Sequence, residues 1–253
     1  MKNKVSLLVN CLNEVNNLKN NIIPLAHHFD EVVIVDMQSN DGSAELIKKL
    51  DNSRFIEIEK MGYVEPARKI GINSCKYDYV FILDADEILS EKIILEINRF
   101  RKGEKTEFIG LVDVKGLMIP RYNSMFSQDI TWGKFAPEND KQLRFFKKGT
   151  VEISSKIHSG IKFKCNMEVV TLPFSSGYYI YHFHSATALE FIGRVVRYAE
   201  YENTKQSGKN SFNVTNAIKA FVKEYILSGG YKHGKTGFAL AYILSLREFL
   251  KGK

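Results

Sequence analysis

The 253-residue sequence predicts an α/β fold, a mostly parallel sheet flanked by helices and followed by a C-terminal helical extension. Three observations predict it. Over residues 1–101 short apolar runs alternate with helical patterns, which implies right-handed crossovers and a parallel sheet. Three of those runs end in polar clusters, and in such sheets ligands bind beyond the carboxyl ends of the strands. From residue 185 onward the pattern is helical throughout.

The elements follow in order. Residues 5–9 are apolar and end at Asn10, the pattern of a buried strand. Asn13 is placed to cap a helix running toward His28, with Pro24 expected to break or restart it. Val32-Val33-Ile34-Val35, all β-branched, make a second buried strand ending at Asp36. Gly42-Ser43 opens a helix through Leu50, and residues 55–58 form a weaker third strand. A helix over 65–75 leads to a fourth strand over 79–83, which ends at Asp84, and the next helix covers 91–101.

Residues 110–184 are less regular, with strand-like pieces at 117–120, 143–146 and 178–183. In the last part Ala217, Phe221, Val222, Tyr225 and Ile226 share one helical face, Gly229-Gly230 ends that helix, and residues 238–250 form a second apolar helix. There is no internal repeat and no low-complexity segment. The expected division is a domain over 1–184 and a helical extension over 185–253.

Composition bounds the function. Apolar residues make up 44% and charged residues 26%, ordinary for a folded soluble protein. No run of about 18 apolar residues is present, so no spanning helix is expected. The apolar start of the chain is short for a signal peptide and suits a first strand, which gives a cytoplasmic expectation. Cys11, Cys75 and Cys165 are scattered, with no CxxC pair, and read as reduced thiols rather than a disulfide or zinc site. The net charge of +7 is uneven: residues 1–140 carry 18 Lys+Arg against 22 Asp+Glu, and residues 141–253 carry 18 against 7. The basic back half is suited to an anionic partner, whether nucleic acid, a phosphate-bearing glycolipid or a membrane surface.

The polar clusters carry the chemistry: Asn10, Asn13 and Glu14 after strand one, Asp36, Ser39 and Asp41 after strand two, and Asp84, Asp86 and Glu87 after strand four. A diphosphate leaving group needs its charge neutralised, and Mg²⁺ or Mn²⁺ held by a carboxylate supplies that. Asp84-Ala85-Asp86 offers two carboxylates for it; the bland alternative is acidic residues near a helix start. Asp36 would accept a hydrogen bond from a base or ribose, and its loop also reads as a turn and helix cap. Arg68 would face base or diphosphate, or be a surface arginine. His158, His182 and His184 are candidates to complete a metal shell, against the bland reading of structural histidines. Glu138, Asp140 and Asp113 are candidate bases for an attacking hydroxyl, against a solvated turn at Pro137 and Asn139.

The order Asn13-Glu14 after strand one, DxxSxDGS at 36–43, Gly62 and Arg68 in the third unit, then LDADE at 83–87 resembles the inverting family-2 glycosyltransferases. Pro120-Arg121-Tyr122-Asn123, DKQLRFFKKG at 140–149, His158, His182-Phe183 and YILSGGYKHGKTG at 225–237 look like small bacterial enzymes that add a sugar to the lipopolysaccharide core. The likeness covers nearly the whole chain. Two departures stand out: Met37 where the subgroup commonly has Ser, and Ser159 where it often has Glu after the histidine.

The resemblance implies a glycosyltransferase A-type fold, a UDP-sugar donor and a divalent metal, with residues 1–184 as the catalytic domain. By position Asn13, Glu14, Asp36, Ser39 and Arg68 would line the nucleotide pocket. Asp84 would face ribose or sugar, Asp86 with His158 would hold the metal, and Asp140 or else Glu138 would be the base. The acceptor would be a glycan or glycolipid. The basic back half would touch acceptor or the inner face of a membrane, or the helices would pack on the domain or on a second copy; no nucleic acid is expected. Rival classes fit less well. A phosphatase of the paired-aspartate type needs a nucleophilic Asp after strand one, where Asn10-Cys11-Leu12-Asn13 stands. A nucleotidyltransferase or dehydrogenase needs a Gly-rich loop that is absent. A non-catalytic binding module for an anionic partner is the remaining alternative.

Overall fold

The computed structural model describes residues 3–60, 64–109, 114–153, 161–164, 168–205 and 212–251. Strand β1 (Val5–Cys11) leads through α1 (Val15–Asn17) into a π-helical turn (Leu18–Ile22) and a 3-10 turn (Ile23–His28). Then come β2 (Glu31–Asp36), α2 (Ser43–Ile47), β3 (Ser53–Glu57), α3 (Glu65–Ser74), β4 (Tyr79–Asp84), β5 (Glu87–Leu89) and α4 (Glu91–Lys102). The chain continues with β6 (Val114–Met125), β7 (Gln128–Asp129), β8 (Lys141–Lys147), β9 (Val151–Ile153), β10 (Ile161–Phe163), β11 (Glu168–Thr171) and β12 (Ile180–Ser185). Helices α5 (Ala188–Lys205), α6 (Val214–Val222) and α7 (Gly234–Leu250) close it, with a π-helical turn at Lys223–Leu227 and a 3-10 turn at Gly230–His233 between the last two.

The large sheet has the order β3-β2-β1-β4-β8-β6-β12-β5. Its first four strands are parallel, as the alternation of strand and helix requires. Strand β8 then runs antiparallel to both β4 and β6. This mostly parallel sheet flanked by helices, with helices at the C-terminus, is the expected glycosyltransferase A-type architecture. No helix among the described residues is long and apolar enough to cross a membrane.

The chain divides into two compact units, residues 1–120 with 141–181 and residues 121–140 with 182–253. In the first, the pleat sends alternate side chains to opposite faces. Val5, Leu7, Val9, Val32, Ile34, Phe81 and Leu83 meet Leu18, Ile22, Ile93 and Ile97 on one face. Leu8, Val33, Val35, Val80 and Ile82 meet Ala67 and Ile72 of α3 on the other. Full burial of each such aliphatic side chain contributes about 1.5–3 kcal/mol, so the paired faces hold the strand ends in place. Helix α3 rests closely on β1: a Cβ on Gly71 would lie 2.3 Å from Leu8 Cδ1.

The second unit has its own core of Met125, Ile130, Trp132, Phe135, Phe191, Val195, Leu240, Ile243 and Leu244. The Trp132 and His233 rings stack at 3.6 Å and 3°.

Three local expectations change, and one surface was not foreseen. Asn13 caps no helix: its φ is +58° and Glu14 stands at the cap position. Helix α2 ends at Ile47 rather than Leu50. Glu87 belongs to a short strand, not to a helix start. On α6 only Ala217 of the shared apolar face is buried, while Ile218, Val222 and Ile226 on this and the next turn are exposed.

Candidate active site

The loops after β1 and β2 are laced together. Asp36, buried at the end of β2, accepts the Ser39 N–H at 2.9 Å and the Ser39 hydroxyl at 2.5 Å. Ser39 Oγ in turn accepts the Asn13 N–H at 2.7 Å, and Asn13 Oδ1 accepts the Asn40 N–H at 2.9 Å. Asp41 takes the Val15 N–H at 2.9 Å, capping α1 from another loop, and also the Ser43 N–H and hydroxyl at 3.0 and 2.6 Å. Burial works to raise the Asp41 carboxyl, and these hydrogen bonds outweigh it and hold the group below its ordinary range. Glu14 accepts from Asn17 Nδ2 at 2.6 Å. The turn-and-cap reading of residues 36–43 therefore holds, and Asn13, Asp36, Ser39 and Asp41 meet at one sheet edge.

Register brings the other carboxylates to that edge. Asn10 of β1 lies opposite Val35 on one side and Asp84 on the other, and Cys11 lies opposite Asp36. Asp84 is bridged by two guanidinium groups, Arg68 at 2.8 Å and Arg144 at 2.8 Å. Arg144 also pairs with Glu87 at 2.5 Å, and Glu87 accepts the Asp84 N–H at 2.9 Å. Asn21 Nδ2 donates to the Ala85 carbonyl at 2.9 Å. The Ala85-Asp86 turn is thus pinned on both sides, and Asp86 sits half-buried in it. Arg68, Arg144 and Lys141 line a cleft of about 310 Å³ with Ile82, Leu143 and Val169.

Two polar groups at this edge are buried without compensation. Neither side-chain polar atom of Asn10 has a hydrogen-bond partner among the described residues, nor does Arg68 Nε. Leaving a buried polar group unpaired costs about 1–3 kcal/mol. Such a cost persists in a fold only where something offsets it, and functional sites are where it gathers.

Asp140 belongs to the second unit. Arg121 grips it with two hydrogen bonds of 3.0 Å each, and Asn123 Nδ2 adds a third at 2.9 Å. Asn123 Oδ1 meets His182 Nδ1 at 2.6 Å. Asp140 is buried, and Glu138 in the same turn is exposed. His182 and His184 share a face of β12 with rings 5.3 Å apart, and His184 Nδ1 meets Ser185 Oγ at 2.9 Å. Gly62, Asp113, His158 and Cys165 lie outside the described residues. Burial pushes the Cys11 thiol up to about 11 and the Cys75 thiol up to about 12, which disfavours the thiolate at both.

Among the described residues no three His, Cys, Asp or Glu side chains gather to hold a metal ion. A Mg²⁺ site of the kind that uses one or two carboxylates, with phosphate oxygens and water for the rest, needs no such group. Both Asp84 oxygens face guanidinium nitrogens, and Asp86, half-buried in the turn, carries a carboxylate of the oxygen-donor kind that such a site uses.

Arg144 carries no role on its residue type alone, and the reason is local. Pairing of β6 with β8 runs Leu117–Phe145 and then Met118–Leu143, so the register slips and Arg144 has no opposite partner. A bulge of this kind re-aims a side chain and breaks the two-residue period that a sequence pattern relies on.

The sequence model of the family described as Glycosyl transferase family 2 matches residues 1–168. An uncharacterized glycosyltransferase of Rickettsia typhi is 25% identical over 260 residues, which span 99% of this chain and 82% of that one. The poly-beta-1,6-N-acetyl-D-glucosamine synthase of Staphylococcus aureus is 30% identical over 93 residues, 34% of this chain and 23% of that one. Among solved structures, Staphylococcus aureus TarS 1–349 in complex with UDP aligns with a TM-score of 0.49 and 15% identity, covering 94% of this chain and 75% of that one.

Proposed function

The chain belongs to glycosyl transferase family 2 and is a glycosyltransferase, and from that premise we propose an inverting enzyme that moves a sugar from a UDP-sugar to an acceptor hydroxyl on a glycan or glycolipid, in lipopolysaccharide core or other cell-surface glycan synthesis. Membership in an enzyme family removes the non-catalytic binding module as the main alternative.

One observation carries the donor assignment. The carboxyl ends of β1, β2 and β4 present a buried Asp36, an uncompensated Asn10 amide and an Asp84 bridged by Arg68 and Arg144. A nucleoside diphosphate is matched to these groups. Its base and ribose offer donors to Asp36 and Asn10, and its diphosphate offers oxygens to Arg68. The lacing of Asn13, Ser39 and Asp41 fixes this edge before the ligand arrives, which lowers the ordering cost of binding. Glu14 sits beside this lacing as a further contact for the nucleotide.

Asp86 is the residue proposed to hold a divalent cation, with His158 as its second protein ligand. When bound, the cation would neutralise charge on the departing diphosphate. The chain's own residues do the remainder. Arg68 stabilises the same developing charge at a fixed position, and such preorganised charge is the largest contribution in many enzymes. A carboxylate takes the proton as the acceptor hydroxyl attacks the anomeric carbon from the face opposite the leaving UDP. The new glycosidic C–O bond forms as the old one breaks, and configuration inverts. Asp140 is the proposed base, with Glu138 second.

The test is a donor-hydrolysis screen across UDP-, GDP- and dTDP-sugars with Mn²⁺. Release of UDP from at least one UDP-sugar, and no comparable turnover of the other two classes, is the expected result. Selective turnover of a GDP- or dTDP-sugar would remove the UDP assignment and keep the family.

A further inference from the structure

We propose that α6, the turn after it and the exposed side of α7 form a surface that settles into the headgroup region of an anionic lipid bilayer. The proposal stands on the second unit alone and does not depend on the donor assignment.

Val214, Ile218, Val222 and Ile226 recur every four residues, so they line one side of the helix and its π-helical continuation. That side faces outward: Ile218 is 60% exposed and Ile226 54%. The next residue, Leu227, is 78% exposed. The inversion is complete at Glu224, a carboxylate that is buried where its apolar neighbours are not. Helix α7 extends the surface. Ser245 Oγ donates to the Ala217 carbonyl at 2.9 Å, which ties the two helices together. Phe238 packs edge-on against Phe221 at 5.9 Å and Tyr225 at 5.8 Å, and Tyr242 stacks beside it at 6.3 Å. Phe238 and Tyr242 remain about half exposed. Scattered apolar residues on a surface are ordinary, but a contiguous set of this kind marks a binding face.

The charge identifies the occupant. Residues 212–251 carry six Lys+Arg against two Asp+Glu. One acid, Glu224, is buried, and the other, Glu248, pairs with Lys251 at 3.2 Å. Lys219 and Lys223 each directly follow a residue of the apolar side, Lys232 lies over the Tyr231 ring, and these three and Lys235 are all exposed. Aliphatic side chains enter the acyl boundary, Tyr rings sit at headgroup level, and lysines meet anionic phosphate, which is the composition of an interfacial helix. A two-fold contact between copies would set the same lysine-bearing patch against itself. An anionic bilayer neutralises those lysines, and a second copy does not.

The experiment is co-sedimentation of the full chain with vesicles of equal parts phosphatidylglycerol and phosphatidylcholine, and with phosphatidylcholine alone. The expected result is binding to the anionic vesicles that weakens with salt. The double variant Ile218→Glu/Ile226→Glu should lower the bound fraction roughly tenfold or more, with an unchanged melting temperature because both positions are exposed. Lys219→Glu/Lys223→Glu should lower it on anionic vesicles as well. The proposal is overturned if the unaltered chain ignores anionic vesicles. It is also overturned if the first variant binds them undiminished, or if that variant instead turns a dimer into a monomer in sedimentation velocity. UDP-sugar hydrolysis in detergent-free solution, measured on the same variants, should be unaffected, so failure here and failure of the donor assignment read out separately.

Discussion

Arg144 and Glu87 form an ion pair that is closed to solvent on both sides, with 3% and 0% of their side chains exposed and 2.5 Å between Nη2 and Oε1. A buried pair contributes little compared with two apolar residues, yet losing one partner strands the other charge. Arg144→Ala should therefore cost about 3–5 kcal/mol in urea unfolding. Glu87→Gln should cost less, because Arg144 keeps Asp84 at 2.8 Å. Equal, small losses in the two variants would mean that the pair is not a support for the β4–β5 turn.

Arg68 makes a useful contrast, since it bonds the same Asp84 from a position that is 22% exposed. Its contribution to folding should be smaller than that of the closed Arg144–Glu87 pair, because the Arg68–Asp84 pair is part-exposed. Its contribution to ligand binding should be larger. A hydrogen bond to a charged group contributes about 1.5–3 kcal/mol. Arg68→Ala should therefore weaken UDP binding roughly ten- to hundredfold in calorimetry. A variant that melts early and binds UDP normally would reverse the two roles.

Asp86→Ala tests the metal assignment. Charge stabilisation by a bound cation contributes several kcal/mol to a transition state, so turnover should fall by a factor of about 1,000. The more specific readout is binding: Mn²⁺ should raise UDP affinity in the unaltered chain and leave the variant's affinity where it is without metal. Retained Mn²⁺ enhancement in Asp86→Ala would move the metal elsewhere.

How far the sequence reveals this edge depends on whether the cue is local. Strands β1, β2 and β4 were legible because each is a short apolar run closed by Asn10, Asp36 or Asp84, and the pairing register then sets those ends side by side. Asn13 looked like a helix cap by residue type, but the backbone there is left-handed and the cap comes from Asp41, a residue of another loop. A contact over that sequence separation leaves no local pattern. Arg144 was hidden by the bulge, and the Arg121–Asp140–Asn123–His182 chain joins β6, a turn and β12, three segments with no shared period. The periodicity of α6 showed that the helix is two-sided without saying which side meets protein, and the structure leaves Ile218, Val222 and Ile226 exposed.

Asp41 gives a pH prediction. Its carboxyl lies below the ordinary 3.8, so the folded chain holds it ionised more strongly than the unfolded chain does. The associated stability is present above the ordinary value and is lost as pH falls through the lowered one. Asp41→Ala should remove a cap contribution of about 1 kcal/mol at neutral pH. The gap between variant and unaltered chain should close in strongly acidic buffer. A gap that stays constant down the pH scale would show that the Asp41 charge is irrelevant to the α1 cap.

Glu224 behaves in the opposite sense. Burial raises its carboxyl, and the Lys134 N–H at 3.2 Å only partly opposes that. The folded chain therefore holds this proton more tightly than the unfolded chain. The stability it contributes is complete below the ordinary 4.5 and is lost as pH rises through the raised value. Glu224→Gln keeps an oxygen for the Lys134 N–H and removes the buried charge. At pH 8 it should raise the melting temperature by about 2–4 °C, the equivalent of about 1 kcal/mol for a chain of this size. At pH 4 it should change little. Space around the group is already committed, since a Cβ on Gly133 would lie 1.8 Å from Glu224 Oε1 and Gly133 has φ +62°. Gly133→Ala should therefore destabilise the unaltered chain at both pH values, and Glu224→Ala should relieve part of that loss. Independent, additive effects of the two substitutions would refute the close approach of Gly133 and Glu224, because residues in contact couple and distant ones do not.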